Sequence, residues 1–164
     1  MRDDLVIDVD DLVGHLEAVG QFAGERPVSL RLGDATVNGP MLVSGSVTGT
    51  IDGVLVRFTA TAPAHLVCVR CLAEWADDIE VAATRHLSTV PDEDGYGIRD
   101  RKIDLTGPAV DELALGLPAA PVCKKDCRGL CPICGSDLNT EPCDGHGDES
   151  DSPFAALKDL FDSR

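Results

Sequence analysis

The run Met41-Leu-Val-Ser-Gly-Ser-Val-Thr-Gly-Thr50-Ile-Asp-Gly-Val-Leu-Val-Arg-Phe-Thr-Ala-Thr61 decides the fold class. Two stretches rich in Val, Thr and Ser flank Asp52-Gly53. Branched side chains fit a pleated, half-buried surface, and Asp-Gly supplies the positive φ of a tight hairpin turn. The pattern predicts an antiparallel hairpin. Upstream, Val28-Ser-Leu-Arg-Leu32 alternates, and Asn38-Gly39-Pro40 predicts a turn. Downstream, Pro63 predicts a bulge or an edge before His65-Leu-Val-Cys68-Val-Arg-Cys71. A further β run from Leu72 to Leu87 carries Trp75 and Ile79. His65 is expected on a strand at a sheet edge, with a role as alternative metal ligand as the lesser reading.

The flanks are mixed. Leu5 to Val9 suggests a short strand. A helix is expected next, N-capped by Asp10 or Asp11, with Leu12, Leu16 and Val19 on one face and Gly20 and Gly24 ending it. Residues 88–102 read as a solvated polar loop, with Asp92-Glu93-Asp94 followed by Arg99, Arg101 and Lys102. Ile103 to Leu105 suggests a strand. Thr106-Gly-Pro108 opens a second helix, Val110, Leu113, Ala114 and Leu117 forming its apolar stripe and Asp111 and Glu112 favouring its positive end. A last short helix is expected from Ser152-Pro153, with Phe154, Leu157 and Phe161 on one face, docked on its own domain or on a partner. The fold class is thus α+β: an antiparallel β-sheet core, a few short helices and a C-terminal cysteine-rich zinc-binding module. The expected divisions are a core over 1–122, a cysteine cluster over 123–146, and an acidic linker with a helix over 147–164.

Five of the seven cysteines (Cys123, Cys127, Cys131, Cys134 and Cys143) crowd into residues 123–146, and Cys68 and Cys71 form a pair upstream. With His146 they make eight thiol or imidazole ligands, the number two tetrahedral zinc sites require. In Cys131-Pro-Ile-Cys134-Gly135, two thiols can grip one ion from a single turn; Pro132 pre-sets φ and Gly135 lets the chain reverse. One or two structural zinc ions are therefore expected. The preferred pairing joins Cys68 and Cys71 to Cys123 and Cys127, and Cys131 and Cys134 to Cys143 and His146. A zinc ribbon setting Cys68 and Cys71 against Cys131 and Cys134 is the alternative, and a single-zinc version is another; spacing alone leaves all three open.

Competing chemistries are weaker. The opening Met1-Arg2-Asp3-Asp4 has no apolar core of an export signal, and the cysteine count is odd, so a disulfide framework is not expected. A thioredoxin-like reading of Cys131-Pro-Ile-Cys134 needs a helix N-terminus, whereas Gly, Pro, Asp and Asn here signal a loop. His15-x-Glu17 and Pro142-Cys143-x-x-His146 imitate the two halves of a zinc-deaminase signature, but the last ligand should be Cys and the halves lie at opposite ends of the chain.

The chain has 164 residues, a formal net charge of −15 and a mean hydropathy of +0.01. Two zinc ions held by seven thiolates would move that charge to roughly −18. Such a field repels a phosphate backbone at long range, which excludes broad non-specific nucleic-acid binding and leaves a basic protein partner or a small local basic patch. A cytoplasmic protein without a membrane span is expected.

The ordered set Cys68-Val-Arg-Cys71-Leu72, Leu117-Pro-Ala-Ala-Pro-Val-Cys123, Cys127-Arg-Gly-Leu-Cys131-Pro-Ile-Cys134-Gly-Ser-Asp-Leu138-Asn139 and Ser152-Pro-Phe-Ala-Ala-Leu-Lys158 resembles the bacterial YceD-like family, the large ribosomal RNA subunit accumulation proteins. The resemblance covers the second half; the first third is similar only in its β-rich character. Many members end the cluster in Cys-x-Cys where this chain has Cys143-Asp-Gly-His146. The resemblance implies a cytoplasmic, non-enzymatic factor of ribosome biogenesis needed for 23S rRNA accumulation, acting on a large-subunit precursor, its rRNA or a basic ribosomal protein, with no small-molecule substrate. Lys124, Lys125 and Arg128 are the candidate contacts to RNA or a partner. A thiol- or zinc-dependent enzyme, such as a cytoplasmic redox protein, is the alternative function.

Overall fold

The computed structural model describes residues 5–16, 18–141 and 143. Four long strands form an antiparallel meander: β2 (Val19–Leu32), β3 (Ala35–Gly49), β4 (Gly53–Val67) and β5 (Glu74–Ser88), paired in that order. A second, two-stranded sheet pairs β1 (Val6–Asp8) with β6 (Lys102–Asp104), and α1 (Thr106–Gly116) follows it.

Strand periodicity explains which face is covered. On β4 the alternate residues Val54, Val56, Phe58, Ala60, Ala62, Ala64 and Leu66 are all buried, while Arg57, Pro63 and His65 between them are exposed. Val37, Met41, Val43 and Val47 of β3 continue the same apolar layer. Leu5, Val9, Ile103, Leu105, Ala109, Leu113 and Leu117 complete one core. Burying each such leucine or isoleucine is worth about 1.5–3 kcal/mol. The opposite face of the meander, with Gln21, Ser44 and Thr84 among its exposed residues, carries no second layer among the described residues.

The hairpin expected at Asp52-Gly53 is present: Gly49 pairs with Val54, and the Thr50 N–H donates to the Gly53 carbonyl at 2.9 Å. Pro63 lies opposite a register shift between Val37 and Leu42, the bulge its missing N–H calls for. The Asn38-Gly39-Pro40 turn is not formed. These residues lie inside β3, and the chain reverses earlier, at Gly33-Asp34, where Gly33 has φ +55° and Leu32 pairs with Ala35. The Asn-Gly-Pro signal is absorbed by the bulge.

The first expected helix is also absent. Residues 10–14 form turns and β2 begins at Val19, so Gly20 and Gly24 belong to a strand. Gly14 adopts φ +79°, and its N–H donates to Thr50 O (2.8 Å), while Ala18 O accepts from Gly49 N–H (3.0 Å). These two bonds tie the segment to the hairpin turn, while Leu12, Val13, His15 and Ala18 N–H groups close short turns on Val9, Leu12 and His15 carbonyls. A Cβ at Gly49 would run into the carbonyls of Leu12 and His15, so only glycine lets this segment lie so close. Among the described residues there is one helix, not a few. It buries Pro108, Ala109 and Leu113, with Leu117 buried just past its end, whereas Val110 and Ala114 are only half-buried. Asp111 and Glu112 do not sit at the positive end of the helix dipole: the first turn holds no acidic residue, and the two lie mid-helix, where Tyr96 Oη donates to Asp111 at 2.6 Å and Arg85 bonds Glu112 at 2.8 Å. The helix expected from Ser152 lies outside the described residues.

Candidate metal centre

The β4–β5 connection, residues 68–73, is a reversal built on Cys68. Leu72 N–H donates to Cys68 O (2.9 Å), and Cys68 N–H donates to Ala73 O (2.8 Å). The second knuckle repeats this turn: Gly135 N–H donates to Cys131 O (2.9 Å), and Cys131 N–H to Ser136 O (2.8 Å). The fifth residue of each has a left-handed backbone, Gly135 at φ +75° and Leu72 at +60°. Glycine adopts that conformation freely; leucine does so at a cost.

Two groups of thiols result. Cys68, Cys71, Cys123 and Cys127 have Sγ atoms all within 4.8 Å of one another, and so do Cys131, Cys134 and Cys143. Measured edges are 3.9 Å for Cys68–Cys127, 3.5 Å for Cys71–Cys123, 3.8 Å for Cys134–Cys143 and 3.7 Å for Cys131–Cys143. A tetrahedron with metal–sulfur bonds of about 2.3 Å has edges of about 3.8 Å. The separations fit a tetrahedral thiolate site and are far too long for disulfides, which need about 2.05 Å. Each group could hold a metal ion. Cys131 and Cys134 gather with Cys143, not with Cys68 and Cys71 as a ribbon would require. His146 lies outside the described residues. His65 lies on β4, second from the edge, with Nε2 3.3 Å from Glu74.

The surroundings favour thiolate at selected positions. Burial pushes Cys68 up, but backbone N–H groups of Cys123, Cys71 and Arg70 aimed at it bring it down to about 6. Backbone donors from Cys134 and Ile133 lower Cys131. Burial and the neighbouring thiols push Cys123 up to about 12, so four bare thiolates do not coexist there without a cation. Cys68, Cys127 and Cys131 are buried, whereas Cys123 and Cys134 are exposed.

Three residues that spacing did not single out support the two groups. Arg70 Nη1 donates to Cys127 O (3.0 Å), and Leu130 N–H donates to Arg70 O (2.9 Å). Asn139 Nδ2 donates to Cys127 Sγ (3.6 Å), and its Oδ1 accepts from Arg128 N–H (2.9 Å). Ser136 Oγ lies 3.1 Å from Cys134 Sγ. Outer hydrogen bonds of this kind orient metal ligands. The available signal was the Asp137-Leu-Asn139 triplet after the second knuckle, where Asp137 Oδ1 takes hydrogen bonds from Asn139. Lys124, Lys125 and Arg128 are exposed on the loop carrying Cys123 and Cys127. No helix among the described residues is long and apolar enough to cross a membrane.

Relatives carry this arrangement into context. The chain is 41% identical over 125 residues to an uncharacterized protein of Mycobacterium tuberculosis and to one of Mycobacterium bovis, and 34% identical over 130 residues to one of Mycobacterium leprae. These alignments cover 70–74% of this chain and 59% of each relative, so the chain spans less than two thirds of the length of the curated relatives it matches. No solved structure matches. The family profile described as Large ribosomal RNA subunit accumulation protein YceD matches residues 56–161, a span that starts inside β4 and holds all seven cysteines, and the chain belongs to the YceD family.

Proposed function

We propose that this protein is a non-enzymatic, zinc-stabilised binding factor that supports accumulation of large-subunit ribosomal RNA. The observation that carries the zinc assignment is the set of Sγ–Sγ edges near 3.8 Å in two groups. The family carries the biological role. Zinc supplies cross-linking here: four protein ligands close a tetrahedral site and leave no position for a reacting water. Cys68, Cys71, Cys123 and Cys127 hold one ion; Cys131, Cys134, Cys143 and His146 hold the second. Lys124, Lys125 and Arg128 contact phosphate or an acidic partner group at the metal end, against a chain of net charge −15.

A thiol-redox enzyme is the rival reading, and the lowered Cys68 is the observation in its favour. Cys68 is 0% exposed, however, and a redox thiolate must be reached by its partner. Gradient sedimentation of a cell extract separates the two. A binding factor comigrates with immature large subunits at low salt; a protein found only in the top fractions overturns the reading. Fast thiol titration of the native protein would favour the rival.

A further inference from the structure

The two edges of the meander differ. β2 is broken up by Gly20, Gly24 and Pro27, whereas β5 runs fifteen residues without glycine or proline. Its backbone phase follows from two bonds. Ala73, in register with Cys68, bonds towards β4, and Ser88 O accepts from Ile98 N–H (2.7 Å) on the outer side. Odd residues of β5 therefore pair with β4, and the N–H and C=O of even residues 76–84 face outwards. One of those groups is taken locally, the Asp78 N–H donating to Asp77 Oδ1 at 2.9 Å; for the others no partner is seen among the described residues, and the 92–98 loop reaches only the far end, where Arg85 meets Asp94 at 3.5 Å.

The edge is charged in one sense. Glu74, Asp77, Asp78 and Glu80 fall within seven residues, and among the described residues Asp77, Asp78 and Glu80 have no cation within ion-pair distance. A second acidic copy would meet repulsion along this edge, and so would RNA. An extended polypeptide with alternating lysine or arginine would instead gain both the ladder bonds and charge neutralisation. On its inner side, α1 ends over the same strand: a Cβ at Gly116 would press on Val81, and Leu115 next to it is 77% exposed.

We infer that the outer edge of β5, over residues 74–84, is a docking site at which a basic, extended polypeptide segment adds as a fifth strand. The inference rests on the reading of the protein as a binding factor and names the chemistry of one partner. It does not depend on the metal.

The test uses the full chain and a fluorescent ten-residue peptide of alternating Lys and Val, followed by anisotropy. The inferred result is saturable binding that slows amide exchange at Ala76, Glu80 and Ala82. Binding should fall at least tenfold in Ala82→Pro, which removes one outward N–H without touching the β4 ladder. It should fall as far in Asp77→Lys/Asp78→Lys/Glu80→Lys. An Ala82→Pro protein that keeps its melting temperature and binds the peptide normally would overturn the inference. So would unchanged exchange at the three amides of the wild type, a measurement that needs no variant. Protection of those amides by an oligouridylate probe, or by self-association, would overturn it as well. The measurement is made on purified protein, so its failure leaves the comigration experiment standing, and the reverse also holds.

Discussion

Replacing Cys123 and Cys134, one at a time, by serine separates the two candidate metal sites by the length of chain each would close. Both thiols are exposed, so neither change opens a cavity in the core. A bridge between Cys71 and Cys123 closes 52 residues; one between Cys134 and Cys143 closes 9. Treating each ion as a cross-link on the unfolded chain, the closure entropies are about 14 and about 9 cal/mol/K, a gap of about 5. At room temperature that gap is roughly tenfold in the folding equilibrium constant, or about 3–6 °C in melting temperature for a chain of this size. Calorimetry of zinc-loaded protein should therefore find Cys123→Ser melting that much below Cys134→Ser. With a chelator in excess, both variants and the wild type should converge. Equal losses with zinc, or a difference that survives chelation, would refute the cross-linking argument.

Zinc content by atomic emission should be two ions per chain in the native protein and close to one in His146→Ala; two ions in that variant would remove His146 from the ligand set. Leu113→Ala, at a site with no exposure, should cost about 3–4 kcal/mol in denaturant unfolding, and a cost below about 1 kcal/mol would show that α1 does not seal the core. Tyr96 donates to Asp111, and that bond with the phenol's burial pushes it up to about 12 from 10.0. The neutral phenol is the favoured form, so the stability it confers is complete below about pH 10 and disappears as the pH rises through about 12. A phenolate absorbance titration with a midpoint near 10 would deny the bond.

The sheet was readable because its evidence is local and repeated. Alternation along Val54 to Leu66 and the Asp52-Gly53 turn both survive without knowledge of the rest of the chain. The segment from Asp10 to Val19 was not readable, because apolar residues at helical spacing are recruited by a distant turn. Gly49 allows the approach of Leu12 and His15, and nothing near Leu12 announces it. The Asn38-Gly39-Pro40 signal was real but ambiguous, since a bulge opposite Pro63 satisfies the same backbone constraints as a turn. Spacing alone announced that the cysteines would gather into clusters able to hold a metal ion. What spacing could not contain is the support given by Arg70 and Asn139, which reach Cys127 across 57 and 12 residues.

The β4–β5 hairpin also equips the chain with built-in optical probes. The lone tryptophan, Trp75, pairs with Leu66 just beside the cysteine turn, while the lone tyrosine, Tyr96, is fastened to α1. Emission excited at the indole band therefore reports loosening of the sulfur-rich tip, and phenol absorbance reports release of the helix. Unfolding that starts at one place can be told from unfolding that starts at the other without attaching a dye.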